Sequence, residues 1–114
     1  MTGVEEIRRT SDGELCGHVV QRDDRWEALT VFGATIGHHD ARDPAVEQVV
    51  NDGLAAMADR WTLRGRNADD QIVCIVEANA REVTVALGYY ALPGVPTLRI
   101  EADQLAAREW ELFR

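Results

Sequence analysis

The stretch DPAVEQVVNDGLAAMADRWTLRG, residues 43–65, decides how the rest of the chain is read. Asp43-Pro44 reads as a helix start: Asp as N-cap accepts free backbone N–H groups, and Pro in the first helical position has no donor to lose. Val46, Val49, Val50, Leu54, Met57 and Trp61 then recur at helical spacing and form one apolar stripe. Glu47, Asp52 and Asp59 fall mostly off that stripe. Arg60 and Arg64 sit where positive charge suits the C-terminal end of the helix dipole, and Gly65 supplies a stop. The spacing therefore predicts one long amphipathic helix beginning at Asp43. Gly53 inside it costs about 1 kcal/mol relative to alanine, and its small size leaves room for a close neighbour.

On the N-terminal side the chain reads as strands and turns. Val4–Thr10 is a weak strand, and Asp12-Gly13 is a hairpin signal because glycine tolerates positive φ. Glu14–Gln21 is a second strand and Arg22-Asp23-Asp24 a polar turn. Arg25–Phe32 is a third strand, with Trp26, Ala28, Thr30 and Phe32 on one face. Gly33 bends the chain, and Thr35–His38 continues the pairing.

On the C-terminal side, residues 67–70 form a polar loop. Gln71–Ala78 is a nearly continuous apolar run, which predicts a central strand covered, at least in part, on both faces. Val83, Val85 and Leu87 alternate with Glu82, Thr84 and Ala86, so that strand buries one face. Tyr89, Tyr90 and a Pro93-Gly94 turn follow. Thr97–Glu101 is a last strand, with Leu98 and Ile100 inward. Asp103 caps a short final helix carrying Leu105, Ala106, Trp110 and Phe113, with a strand through Trp110 and Leu112 as the alternative. The order βββ-α-βββ-α predicts an α+β domain: an antiparallel sheet of about five to six strands with the long helix across one face. One domain over residues 1–114 is expected, with residues 1–3 disordered.

Composition narrows the function. The chain has 114 residues, enough for one core without staples. Its 20 acidic residues face 12 basic ones, all arginine, for a net charge of −8. Such a chain is repelled by phosphate backbones and anionic membranes unless its arginines cluster, and here they are dispersed. Small sheet-based DNA readers share the hairpin-then-helix order, but the acidity argues against that role, so no nucleic acid and no membrane is expected. The N-terminal segment has Glu5 and Glu6 and no apolar core, unlike a signal peptide, and a cytoplasmic location is the expectation. Cys16 and Cys74 lie in apolar segments and read as buried free thiols.

Candidate chemistry is sparse. Cys16 and His18 are two apart on a strand and so share a face, and His38 and His39 could fold back towards them as a zinc-like or small-molecule site. No CxxC, HExxH or four-ligand spacing supports this, and no cofactor is expected. Cys16 beside Gly17 is the better candidate thiol nucleophile, since apolar neighbours dull Cys74. Asp23-Asp24 and Asp69-Asp70 lie in turns, where Asp is favoured for backbone bonding. The sequence has no phosphate-binding glycine loop and no lysine.

The aromatic residues point elsewhere. Trp26 and Trp61 read as core. Tyr89 and Tyr90 are adjacent, so they cannot be equally buried in a strand. Together with Leu92, Pro93 and Val95 they make a candidate interaction surface. The expectation is a non-enzymatic protein-binding module, working on a protein partner or as a homodimer. The alternative is a small-molecule or metal site, possibly enzymatic, using Cys16, His18, His38 and His39.

Overall fold

A computed structural model of the chain describes residues 3–66, 69–90 and 92–114. The expected disorder at the N-terminus and the expected polar loop over 67–70 therefore fall partly on residues outside the described set. The chain forms two compact units, Met1–Ala56 and Met57–Arg114, each built on one antiparallel sheet.

The first unit is a meander of β1 (Glu5–Arg8), β2 (Leu15–Arg22), β3 (Arg25–Leu29) and β4 (Thr35–His39), paired in chain order and followed by α1 (Arg42–Asp52). Opposed residues of an antiparallel pair share a face. Ile7 opposes Gly17, Val19 opposes Ala28 and Ala28 opposes Gly37, so this face is apolar and lined with small residues. α1 packs across it, with Ala45 and Val49 fully buried and Val46 and Val50 at the margins of the same cluster. The small residues allow a close approach. A Cβ added at Gly17 would overlap the Leu29 carbonyl oxygen and stand 2.9 Å from Val49 Cγ1. Arg42 on the helix bonds Glu5 on β1 through Nε at 3.0 Å, which ties the helix start to the sheet edge.

The second unit holds β5 (Arg60–Gly65), β6 (Gln71–Ala78), β7 (Glu82–Ala86), β8 (Thr97–Glu101), α2 (Ala102–Ala106) and β9 (Trp110–Phe113). The sheet order is β8-β7-β6-β5-β9, so β6 is central as the sequence suggests. One face carries Trp61, Leu63, Val73, Val83, Val85, Ile100 and Leu112, all buried. The other carries Arg60, Thr62, Arg64 and Ile72.

The antiparallel α+β character stands; the layout differs from the expected one in four respects. Two sheets of four and five strands replace a single sheet of five to six. The helix from position 43 ends at Asp52, a 3-10 turn follows over Ala55–Ala58, and Trp61 belongs to a strand. The cause is a shared position. Trp61 extends the 3.6-residue stripe of the helix, yet it also begins a period-2 pattern in which Trp61 and Leu63 are buried while Thr62 and Arg64 are not. Tryptophan and threonine favour strands, and pairing with both β6 and β9 decides the matter. At Gly53 the chain passes so close to the Cys16 carbonyl that only glycine fits.

The helix starts are also displaced. α1 begins at Arg42 with Ala41 as an N-cap that makes no side-chain bond, and Asp43 lies in the first turn, where its charge suits the dipole. In α2 the N-cap is Glu101, not Asp103, and the Gln104 side chain accepts the Glu101 N–H at 2.9 Å. Finally, residues 110–113 take the alternative reading: they form β9 beside β5 and not a helix. β6 is covered in part on both faces, as expected: the adjacent residues Val73 and Cys74 are both buried, while Ile72 and Val76 are 50% and 52% exposed.

Candidate functional site

The open face of the second sheet gathers the exposed aromatic and apolar groups of that unit. β5 alternates, so Arg60, Thr62 and Arg64 project on one side. The connection from β7 to β8 runs beside them, and it is braced at its ends and its tip. Leu87 N–H donates to the Pro96 carbonyl at 2.8 Å, closing the base, and Val95 N–H donates to the Leu92 carbonyl at 3.1 Å. The latter bond closes a turn with Pro93 and Gly94 at its centre, where Gly94 has a φ of 87°. This is the type II arrangement: proline presets the first corner and glycine takes the positive φ of the second. The Cys74 thiol donates to the Gly88 carbonyl at 3.6 Å, tying the loop's start to β6.

This bracing presents a nearly continuous apolar edge. Tyr89, Tyr90 and Leu92 are 53%, 58% and 62% exposed. The loop encloses an open concavity of about 550 Å³ lined by Tyr89, Tyr90, Leu92, Pro93, Val95 and their glycine and proline neighbours. The two tyrosine rings meet edge to face at 4.8 Å between centroids, a geometry favoured by the ring quadrupoles. The Arg60 guanidinium lies over both rings, 4.6 Å from the Tyr89 centroid and 5.2 Å from that of Tyr90, within the range of cation–π attraction.

The next cation along the strand is held differently. Arg64 makes two parallel bonds to Asp70, at 2.8 and 2.7 Å, and lies 4.8 Å over the Phe113 ring. The Arg64 hydrogen bonds hold the Asp70 carboxyl below the usual carboxylate range. Its folded pKa is thus lower than its unfolded one. The pair's contribution is present above the ordinary carboxylate range and is lost as pH falls through the folded value. Both groups are solvated, so the effect on stability is small. An NMR titration of Asp70 is expected to give a midpoint below about 3.9, returning to that value in Arg64→Gln.

The histidine and cysteine candidates lie in the first unit and do not come together. β1 and β2 slip register between Ile7 and Arg8, and this bulge turns Cys16 into the core cluster under α1. His18 opposes Leu29 on the other face and bonds the Thr30 carbonyl through Nδ1 at 3.2 Å. The alternation that would have put Cys16 and His18 on one face is broken by that irregularity. His39 faces α1, where its Nε2 meets Gln48 Oε1 at 2.6 Å. His38 points to the opposite face and meets Glu27 at 3.2 Å. Among the described residues, no group of three or more His, Cys, Asp or Glu side chains could hold a metal ion.

Glu27 is the polar surprise of the first unit. It is 8% exposed, with Arg22 Nη1 at 2.9 Å, His38 Nε2 at 3.2 Å and the Thr35 hydroxyl at 3.5 Å. These partners come from β2 and β4, so the carboxylate clamps β3 to both neighbours, a structural duty.

Tyr89, Tyr90 and Leu92 are exposed, whereas Arg60 reads in the sequence as a charge at a helix end and escapes notice there. The signal that finds it is the period-2 alternation from Arg60 to Arg64. No protein-family model, curated protein or solved structure matches the chain. Among the described residues no helix is long and apolar enough to cross a membrane.

Proposed function

We propose that the chain is a non-enzymatic protein-binding module whose contact surface is the loop of Tyr89, Tyr90, Leu92, Pro93 and Val95 together with Arg60. The observation that supports it most is the exposure of three large apolar or aromatic side chains on a connection that is internally braced. Exposed apolar groups gathered in one place are the usual mark of an association surface. Tyrosine and arginine are the residues that carry most binding energy at such surfaces, because they bring large contact area with few rotatable bonds or a fork of donors. Bracing lowers the ordering cost of binding. The alternative site at Cys16, His18, His38 and His39 lacks comparable support, since each of these groups is engaged separately.

A photoreactive amino acid placed at position 90 of the full chain tests this in cells. It is expected to yield one defined protein adduct that the same substitution at Arg99, exposed on β8, does not yield. An adduct at twice the chain mass identifies the partner as a second copy, the homodimer form of this reading. Leu92→Glu is expected to remove the adduct while changing folding stability by less than about 0.5 kcal/mol. Equal labelling from positions 90 and 99 would overturn the proposal.

A further inference from the structure

Resting on the protein-binding reading above, we infer that the partner is a peptide segment presenting a single carboxylate between apolar residues, and that Arg60 receives that carboxylate. The two arginines that β5 places on the open face are unlike in one respect. Arg64 has its acids, with Asp70 in two hydrogen bonds and Glu111 at 4.0 Å. Arg60 has no acid. Across the sheet it opposes Cys74, and the same row continues through Ala86 to Thr97, all uncharged. Its sequence neighbour Asp59 is taken by Arg114 at 2.7 Å. Arg60 Nε is buried and makes no hydrogen bond to any described residue.

In a chain with 20 acids for 12 arginines, a half-buried guanidinium left without a counter-charge is an uncompensated site. The rings of Tyr89 and Tyr90 hold it in place, and held guanidinium is well suited to a carboxylate, which it bonds in a fork. The concavity beside it is lined by Leu92, Pro93 and Val95 and suits apolar flanking residues. The net charge of −8 selects among anions. A polyanion such as nucleic acid is repelled over its whole length, whereas one carboxylate carried on an apolar segment meets only the local cation. A second copy docking by this same patch fits poorly, because a two-fold contact sets like surface against like, and the loop from Leu87 to Pro96 contains no acid.

Random linear peptides displayed on phage, panned on the full chain, provide the test. The expected result is a family of binders sharing one Asp or Glu with apolar neighbours. Changing that acid to its amide is expected to weaken binding about tenfold or more, the loss of one charge-assisted bond. Arg60→Gln is expected to cause the same loss and to make the amide and acid peptides bind alike. Arg64→Gln is expected to preserve the difference between them, and circular dichroism checks that both variants fold. Binders competed by Tyr90→Ala but without a shared acid would overturn this inference and leave the protein-binding reading standing. The absence of any binder sensitive to Tyr90→Ala would overturn both. Oligothymidylate binding that depends on Arg60 would overturn the choice of a peptide carboxylate.

Discussion

Gly17→Ala is expected to lower the stability of the chain by about 3–5 kcal/mol, a large share of what holds a domain of this size folded. Two costs combine. The residue has a φ of +155°, which side chains with a Cβ rarely adopt, and the added carbon would enter the Leu29 carbonyl oxygen while pressing Val49 Cγ1. Neither neighbour yields easily. Leu29 is backbone in the middle of the sheet, and Val49 is fully buried on α1. Relief therefore requires either moving the helix off its seat or opening the β2–β3 pairing, and overpacked cores resist both. Urea unfolding followed by tryptophan fluorescence measures the loss. The comparison is Gly13→Ala, where φ is +73° but no atom lies within 4 Å. That variant carries only the conformational cost, about 1–2 kcal/mol. Equal losses at the two positions would mean that α1 does not lie closely against β2.

Trp61→Ala is the second large effect, expected to cost about 3–5 kcal/mol. The indole is 1% exposed and shares its face with Leu63, Val73 and Leu112. The informative part of the experiment is the pattern across the next residues. In a strand, Leu63→Ala is also costly, about 2–5 kcal/mol, because its side chain returns to the buried face. Thr62→Ala, from the opposite face, is expected to cost less than about 1 kcal/mol. A helix continuing from Asp43 would turn both Thr62 and Leu63 off the apolar stripe and make both substitutions cheap. The triplet of unfolding midpoints therefore reports directly whether this segment is strand or helix. Near-equal, small losses at positions 62 and 63 would overturn the assignment of β5.

Much of the fold was legible in the residues. The β1–β4 meander follows from turn chemistry at Asp12-Gly13 and at Asp23-Asp24, and from alternation in strands that bury one face. The helix from Ala45 to Val50 follows from its spacing. The turn of the tyrosine loop was legible because it is written in Pro93-Gly94; the unequal burial expected of adjacent strand tyrosines is not found, because Tyr89 and Tyr90 lie outside any strand and are 53% and 58% exposed. These are local properties: φ preferences, periodicity and capping operate within a few residues, so a linear reading captures them.

What escaped that reading depended on partners distant along the chain. Trp61 fits a helical stripe and a strand alternation equally well, and only pairing with Val73 and the Leu112 strand selects the second. Cys16 and His18 should share a face by alternation, yet a register slip against β1 separates them. Arg60 became part of a candidate site only when its strand neighbours proved to be Cys74, Ala86 and Thr97, none of them an acid. The sequence by itself determined the antiparallel α+β character, the acidic charge and the apolar turn at Pro93-Gly94. The tertiary structure alone decided that there are two sheets, that the histidines stand apart and that Arg60, beside the tyrosines, has no acid partner among the described residues. The physical reason is that hydrogen-bond register and charge neutralisation are properties of residues meeting across strands, and nothing within a short window records which residues those will be.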